Sequence, residues 1–192
     1  MKYLRTFFDR FDLDSIQLQA SDLEALYSIA QHKHYEAGDV FISLGTSRKK
    51  LGIIEKGLAR GYRIKQSGEE VTIDFAKEGE IISAQDLILY EKVSEQVVEF
   101  LEPSEVFVFE YPAIEVLARQ YIGIERLKYQ FIEAYLTKIC YRVETFLVYS
   151  PKERYEWLMA EEPELLKRVS QKHLASYLGI TPVSLSRLRA RR

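Results

Sequence analysis

Four arginines, Arg187, Arg189, Arg191 and Arg192, crowd the end of the segment 171–192, QKHLASYLGITPVSLSRLRARR. Guanidinium groups can pair with phosphate as fixed cations, or fork two hydrogen bonds onto a guanine edge. The residues around them predict how they are held. Ser170 suits the N-cap of a helix starting at Gln171. Leu174 and Leu178 are four apart and share one face, with Ala175 beside them small enough for a second helix to cross closely. Gly179 stands where a helix commonly ends in a left-handed residue, and Ile180 can plug the corner. Thr181 then caps a second helix with Pro182 in its first position. Leu185 and Leu188 point back at the first helix, leaving Val183, Ser184, Ser186, Arg187 and Arg189 outside. This is the layout of a helix-turn-helix whose second helix enters a DNA major groove.

A terminal helical hairpin with a solvated basic face is the plainer interpretation. The charge distribution argues against it. Seven Lys or Arg fall between Lys167 and Arg192, and no Asp or Glu follows Glu164, yet the whole chain has net charge −2. A basic end on an otherwise acidic protein is an electrostatic footprint for phosphate.

Other chemistry finds less support. His32 and His34 form an H-x-H pair that could ligate metal in a cupin-like enzyme. The third histidine, His173, belongs to the helix-turn-helix, so a third imidazole is missing, and the pair is expected on a helix-to-strand loop. No Ser/His/Asp set, phosphate-cradling glycine loop or paired-carboxylate signature stands out. The single cysteine, Cys140, lies in a helical pattern and is expected to be a buried small hydrophobe; one thiolate cannot hold an iron–sulfur cluster or a zinc site. The chain is therefore expected not to be an enzyme, with no catalytic or metal residues and no cofactor.

With 192 residues, 47% hydrophobic and 29% charged, the chain suits one larger and one smaller globular domain. Its apolar runs fall far short of the roughly 18 residues of a membrane span. The start, MKYLRTFFDRFD, carries early acids and no long apolar core, which argues against a signal peptide. A cytoplasmic location and no membrane partner are expected.

The remaining elements must position the basic end. Residues 1–31 read as helical through Leu13, Ile16, Leu18, Leu23, Leu26, Tyr27 and Ala30, with Ser21 as cap. From His34 to Glu110, glycines punctuate short runs rich in Ile, Val, Phe and Tyr, such as LGIIE, EVTIDFA and EVFVFE. Many short strands without intervening long helices imply an antiparallel sandwich, jelly roll or barrel. From Pro112 to Tyr149 the pattern is helical, with Gly123 as the expected break and a helix over 124–149 of about 39 Å. Ile124, Leu127, Phe131, Tyr135 and Ile139 are its expected dimer seam. Ser150-Pro151-Lys152-Glu153 is a capping box with proline at the first helical position, and marks the domain boundary. Arg154, Tyr155, Trp157 and Leu158 are expected to build the small domain's core and hinge, and Glu162-Pro163 forces a further break.

This order of elements, with SPKERYEWL and HLASYLGITPVSLSRLR in particular, resembles the Crp/Fnr family of bacterial transcription regulators over essentially the whole chain. The resemblance implies an α+β protein: an N-terminal antiparallel β jelly roll of cyclic-nucleotide-binding type (1–111), a long dimerisation helix (112–149) and a C-terminal helix-turn-helix domain (150–192). It implies a homodimer on double-stranded DNA with a pseudo-palindromic operator; RNA polymerase is a candidate further partner. Carried onto this chain, Pro182, Val183, Ser186 and Arg187 read bases, and Thr181, Ser184, Arg189, Arg191 and Arg192 complete the DNA-facing set. The chain as given stops after the recognition helix, so the full wing of many relatives is expected to be missing, its phosphate contacts absent or taken by Arg189, Arg191 and Arg192.

The effector pocket implied is Gly79, Ile82, Ser83, Ala84, Gln85, Leu87, Ser94 and Glu95. Family members that bind cyclic AMP carry a Gly-Glu-Leu run and a following Arg-Ser or Arg-Thr pair. Here Ala84 stands for the ribose-binding glutamate, Ser94 or Glu95 for the phosphate arginine, and no arginine occurs between Arg63 and Arg119. A buried cyclic phosphate needs a charged partner. The effector is therefore expected not to be cyclic AMP; a nucleotide-responsive protein with a divergent cassette is the alternative.

Overall fold

The structure, a computed structural model, describes residues 18–90 and 92–190. Leu13 and Ile16 of the expected first helix, and the terminal pair Arg191 and Arg192, lie outside the described residues.

The chain runs α1 (Ala20–Ile29), β1 (Gln31–Tyr35), β2 (Val40–Ile42), β3 (Lys50–Lys56), β4 (Ala59–Ile64), β5 (Glu70–Ala76), β6 (Ile81–Ser83), α2 (Gln85–Tyr90), β7 (Gln96–Phe100) and β8 (Ser104–Glu110). It continues through α3 (Tyr111–Ala118), α4 (Ile122–Val148), α5 (Pro151–Glu161), α6 (Pro163–Arg168), α7 (Gln171–Leu178) and α8 (Pro182–Ala190). The strands form two four-stranded sheets, ordered β1-β8-β3-β6 and β2-β7-β4-β5. The β1–β8, β3–β8, β3–β6 and β2–β7 pairings are antiparallel. This is the α+β class expected, with an antiparallel β-domain followed by helices.

Two compact units emerge: Met1–Gly61 with Phe75–Glu133, and Tyr62–Asp74 with Ala134–Arg192. The first has two apolar clusters. Phe41, Ile42, Ile54, Ala59, Ala76, Ile82, Ala84, Val98, Phe100, Val106 and Val108 fill the interior of the β-domain. Ile53 and Phe109 point the other way, onto Leu26 of α1, Ile114 and Ala118 of α3, and Ile124 and Leu127 of α4. Adjacent residues such as Ile53 and Ile54 serve opposite faces because side chains alternate along a strand. In the second unit Tyr155, Leu158, Leu165, Val169, Leu174, Ala175, Tyr177, Leu178 and Leu185 are buried.

Several local expectations change. Gln19, not Ser21, is the N-cap of α1, because the Asp22 carboxylate reaches back to accept the Gln19 N–H at 2.9 Å. His32 and His34 lie in β1 rather than on a loop; cross-strand pairing with Phe107 and Glu105 of β8 extends the strand through them. The break between α3 and α4 falls before Gly123, which sits inside α4. A Cβ at Gly123 would collide with the Asp22 carboxylate, so this glycine serves a close approach rather than a turn. Ile124 and Leu127, expected on a dimer seam, are spent on the protein's own core. Phe131, Tyr135 and Ile139 are half-buried, and Cys140 is exposed rather than buried. Pro163 starts a further short helix, as proline can at a first helical position. No helix among the described residues is long and apolar enough to cross a membrane.

Candidate nucleic-acid interface

The helix-turn-helix is built from satisfied helix ends. Ser170 Oγ accepts the His173 N–H at 3.2 Å and starts α7. Gly179 takes φ +68° at its C-cap and donates its N–H to Ser176 O at 3.1 Å. The Ile180 N–H reaches Ala175 O at 3.0 Å. Together these bonds satisfy carbonyls that the helix end leaves open. Thr181 Oγ1 accepts the Ser184 N–H at 3.1 Å, and Thr181 O accepts from Leu185 N, so α8 begins where the sequence places it. The Gln171 side chain donates to Pro182 O at 3.2 Å, tying the two helix starts together.

Leu174, Ala175 and Leu185 are fully buried, and Ile180 and Leu188 half-buried, so the apolar faces of the motif are used up inside it. Each such leucine contributes about 1.5–3 kcal/mol by leaving water. The outer side of α8 is open: Thr181, Pro182, Val183, Ser186, Arg187 and Arg189 are exposed, while Ser184 is half-buried. The Thr181 hydroxyl is committed to the cap rather than left free.

Two arginines that the sequence did not single out for this purpose hold the motif. Arg154, buried in α5, donates from Nε to Leu178 O at 3.1 Å and from Nη1 to Tyr149 O at 2.7 Å. It therefore joins the C-terminal ends of α7 and α4, where cations are favoured by the helix dipole. Arg142 of α4 donates to Tyr177 O and lies 3.5 Å over the Tyr177 ring and 4.7 Å from Phe146. Burial pushes the Arg142 guanidinium below its ordinary pKa and the Tyr177 hydroxyl above its own. A sequence shows an arginine's charge but not which carbonyls it meets.

The β-domain's expected pocket residues are partly spoken for. Ile82 and Ala84 pack into the apolar interior, Ser83 and Ser94 are buried, Gly79 and Gln85 are half-buried, and Glu95 is exposed. Leu87 lies in α2, its side chain outside the description. Asp86 of α2, which no local sequence signal marks, lies beside Ser94 and Glu95. Its carboxylate accepts the Glu95 N–H at 2.8 Å and lies 3.3 Å from the Ser94 hydroxyl, which also reaches Gln96 O at 2.9 Å, so the donors of this loop already have acceptors within the chain. A fully buried cation, Arg60, does exist in β4, but Glu99 pairs with it at 3.0 Å. An incoming phosphate would have to displace one carboxylate or the other.

His32 and His34 face a carboxylate cluster on the β1–β8–β3 surface. His32 meets Glu55 at 2.6 Å, and His34 meets Glu105 at 2.9 Å and Glu36 at 3.0 Å. Hydrogen bonds to Glu36 and then Glu105 raise the His34 pKa. Among the described residues no group of three or more His, Cys, Asp or Glu side chains is arranged to hold a metal ion.

Residues 32–121 match the family model of the cyclic nucleotide-binding domain. No curated protein matches the sequence significantly. Among solved structures, a protein described as a transcriptional regulator of the Crp/Fnr family from Eubacterium rectale superposes with a TM-score of 0.73 at 13% identity, over 94% of this chain and 85% of that one. The c-di-GMP-responsive global regulator CLP of Xanthomonas campestris gives 0.72 at 15% identity, over 90% and 91%. FixK2 of Bradyrhizobium japonicum gives 0.70 at 15%, over 85% and 84%. Identities this low speak to fold alone. The chain thus carries a cyclic nucleotide-binding-type β-domain followed by helices, in the fold shared by Crp/Fnr-type transcription regulators.

Proposed function

We propose that this protein is a cytoplasmic, non-enzymatic transcription regulator that binds a pseudo-palindromic DNA site as a homodimer, with α8 in the major groove. The observation that carries this reading is the α7–Gly179–α8 unit: its apolar faces are buried, its ends are capped, and the exposed side of α8 bears Arg187 and Arg189. Arg187 is the specificity residue, forked onto a guanine. Pro182, Val183 and Ser186 touch neighbouring bases, and Thr181, Ser184, Arg189, Arg191 and Arg192 face the backbone. In this division of labour 1–111 senses, 112–149 dimerises and 150–192 reads DNA; RNA polymerase is a further partner. Selection of bound sequences from a random pool supplies the site. Arg187→Ala then weakens binding to it by about 1–3 kcal/mol while leaving binding to random DNA nearly intact. Equal ratios of selected to random affinity in variant and wild type would remove Arg187 from that role.

The dimer partner is a second copy seated on α4. Tyr129, Ile132, Leu136, Cys140, Val143 and Leu147 are exposed in one chain at spacings of three and four, and Tyr129 and Leu147 are 65% and 80% exposed. An apolar stripe repeating this way over about 27 Å of helix is a coiled-coil seam. It also displaces the seam expected from Ile124 and Leu127. Cys140 lies on this stripe and is the chain's one cysteine, so it reports the pairing directly. A short thiol-specific cross-linker should give a covalent dimer from native protein and none from Leu136→Glu. A wild type that sediments as a dimer yet resists cross-linking would refute this seam.

The effector is not cyclic AMP in this reading, since Asp86 already occupies the Glu95 N–H and Glu99 already pairs with buried Arg60, the donors a phosphate would need. Response to a cyclic nucleotide through a divergent cassette is the second reading, and the domain match over 32–121 favours it.

A further inference from the structure

The second compact unit contains more than the C-terminal helices: it also takes in Tyr62–Asp74, the far part of the β4–β5 hairpin. β5 is the edge strand of its sheet, and an edge leaves every other N–H and C=O without a ladder partner. Two of these edge groups meet one side chain of α7. The Thr72 N–H donates to Ser176 Oγ at 2.9 Å, and the Ser176 hydroxyl donates to Glu70 O at 3.3 Å. Thr72 is 2% exposed, so its N–H has little water to turn to if Ser176 is removed. The same hairpin reaches the long helix, where Asp74 pairs with Lys138 at 2.8 Å. The long helix closes the circuit through Arg142, which donates to Tyr177 O beside Ser176. Hairpin, long helix and first helix of the reading head form a triangle with a polar contact along each side.

We propose that the β4–β5 hairpin is a brace that sets the pose of the reading head on the long helix, and that Ser176 is the positioning residue at its tip. Three contacts around a closed triangle remove the swivel that a single linker at Tyr149–Ser150 would leave. The braced pose leaves the outer side of α8 exposed, so the brace favours reading rather than blocking it. In a dimer the pose of each head on its long helix sets the separation of the two recognition helices, and with it the half-site spacing accepted.

The DNA consequence rests on the proposed function; the brace itself does not, and the test separates the two. Full-length wild type, Ser176→Ala and Lys138→Ala are compared. Lys138 is at a surface ion pair, so its variant tests the brace even if the serine variant folds poorly. Amide hydrogen exchange should quicken in peptides spanning 70–74 in both variants. Affinity for the selected site should fall about three- to tenfold, while sites with half-site spacing changed by one base pair lose less, so spacing discrimination flattens. Unchanged exchange in both variants would overturn the brace. Quickened exchange with unchanged affinity and spacing preference would overturn its control of the head. A wild type that binds no DNA would count against the proposed function, and the exchange data alone would then judge the brace.

Discussion

Gly179→Ala is expected to lower the unfolding free energy by about 2–4 kcal/mol and to abolish site-specific binding at temperatures where wild type is folded. Two physical terms add. At φ +68° any side chain with a Cβ costs about 1 kcal/mol relative to glycine. The new Cβ would also stand 2.6 Å from Phe146 Cε1 and 3.3 Å from its Cζ. An aromatic ring often swings away from such a contact, but this one is flanked by two guanidinium groups, Arg142 at 4.7 Å and Arg154 at 4.5 Å. Overpacking of this kind costs about 1–3 kcal/mol. Urea denaturation of Gly179→Ala beside Gly179→Asn separates the terms. Asparagine tolerates the left-handed region better, so the difference between the two variants reports the backbone term, and the Phe146 contact, made by either Cβ, lies in the cost they share. A loss below about 0.5 kcal/mol for alanine would mean the turn is not packed on Phe146 as described.

Arg154→Ala is expected to cost about 3 kcal/mol, the second large effect. Charged hydrogen bonds are worth about 1.5–3 kcal/mol each, and this residue makes two, to the ends of two different helices. The cost rises further because Leu178 O and Tyr149 O would lose a partner at a site with little solvent. Arg154→Lys should recover little: one ammonium cannot match a planar fork that donates in two directions. Thermal unfolding of both variants checks this. Near-full rescue by lysine would show that charge alone matters, and that the fork does not join α4 to α7.

The two variants act on the same joint, and they show what kind of residue a sequence reveals. Gly179, Ser170, Thr181 and the Ser150–Glu153 capping box were legible because each acts on backbone within a few residues of itself. The short strands were legible from turn spacing and β-branched runs, and 70–76 matches its strand residue for residue. Where local signals were weak, partners distant in sequence decided. His32 and His34 became strand because Phe107 and Glu105 pair with them across the sheet. Gly123 lies inside a helix, and its lack of a side chain makes room for Asp22, which approaches from a hundred residues away. Apolar periodicity marked α4 as apolar on several sides, but it could not say which of those sides the chain's own core covers and which stay exposed.

The effector region divides the same way. Missing arginines in the segment 78–100 already argued against a cyclic phosphate, because charge is a property of composition. That Asp86 takes the Glu95 N–H, and that buried Arg60 is matched by Glu99, are facts of three-dimensional proximity. The sequence alone determined the order of elements, the caps and turn of the α7–α8 unit, and the basic character of its end, since helix capping, turn conformation and net charge are local. Only the tertiary structure decided which face of the long helix stays exposed, which arginines bond the end of α7, and that a serine of α7 meets the edge of β5. Those depend on side chains separated by tens to over a hundred residues, brought together by the burial of apolar surface that carries no label of its destination.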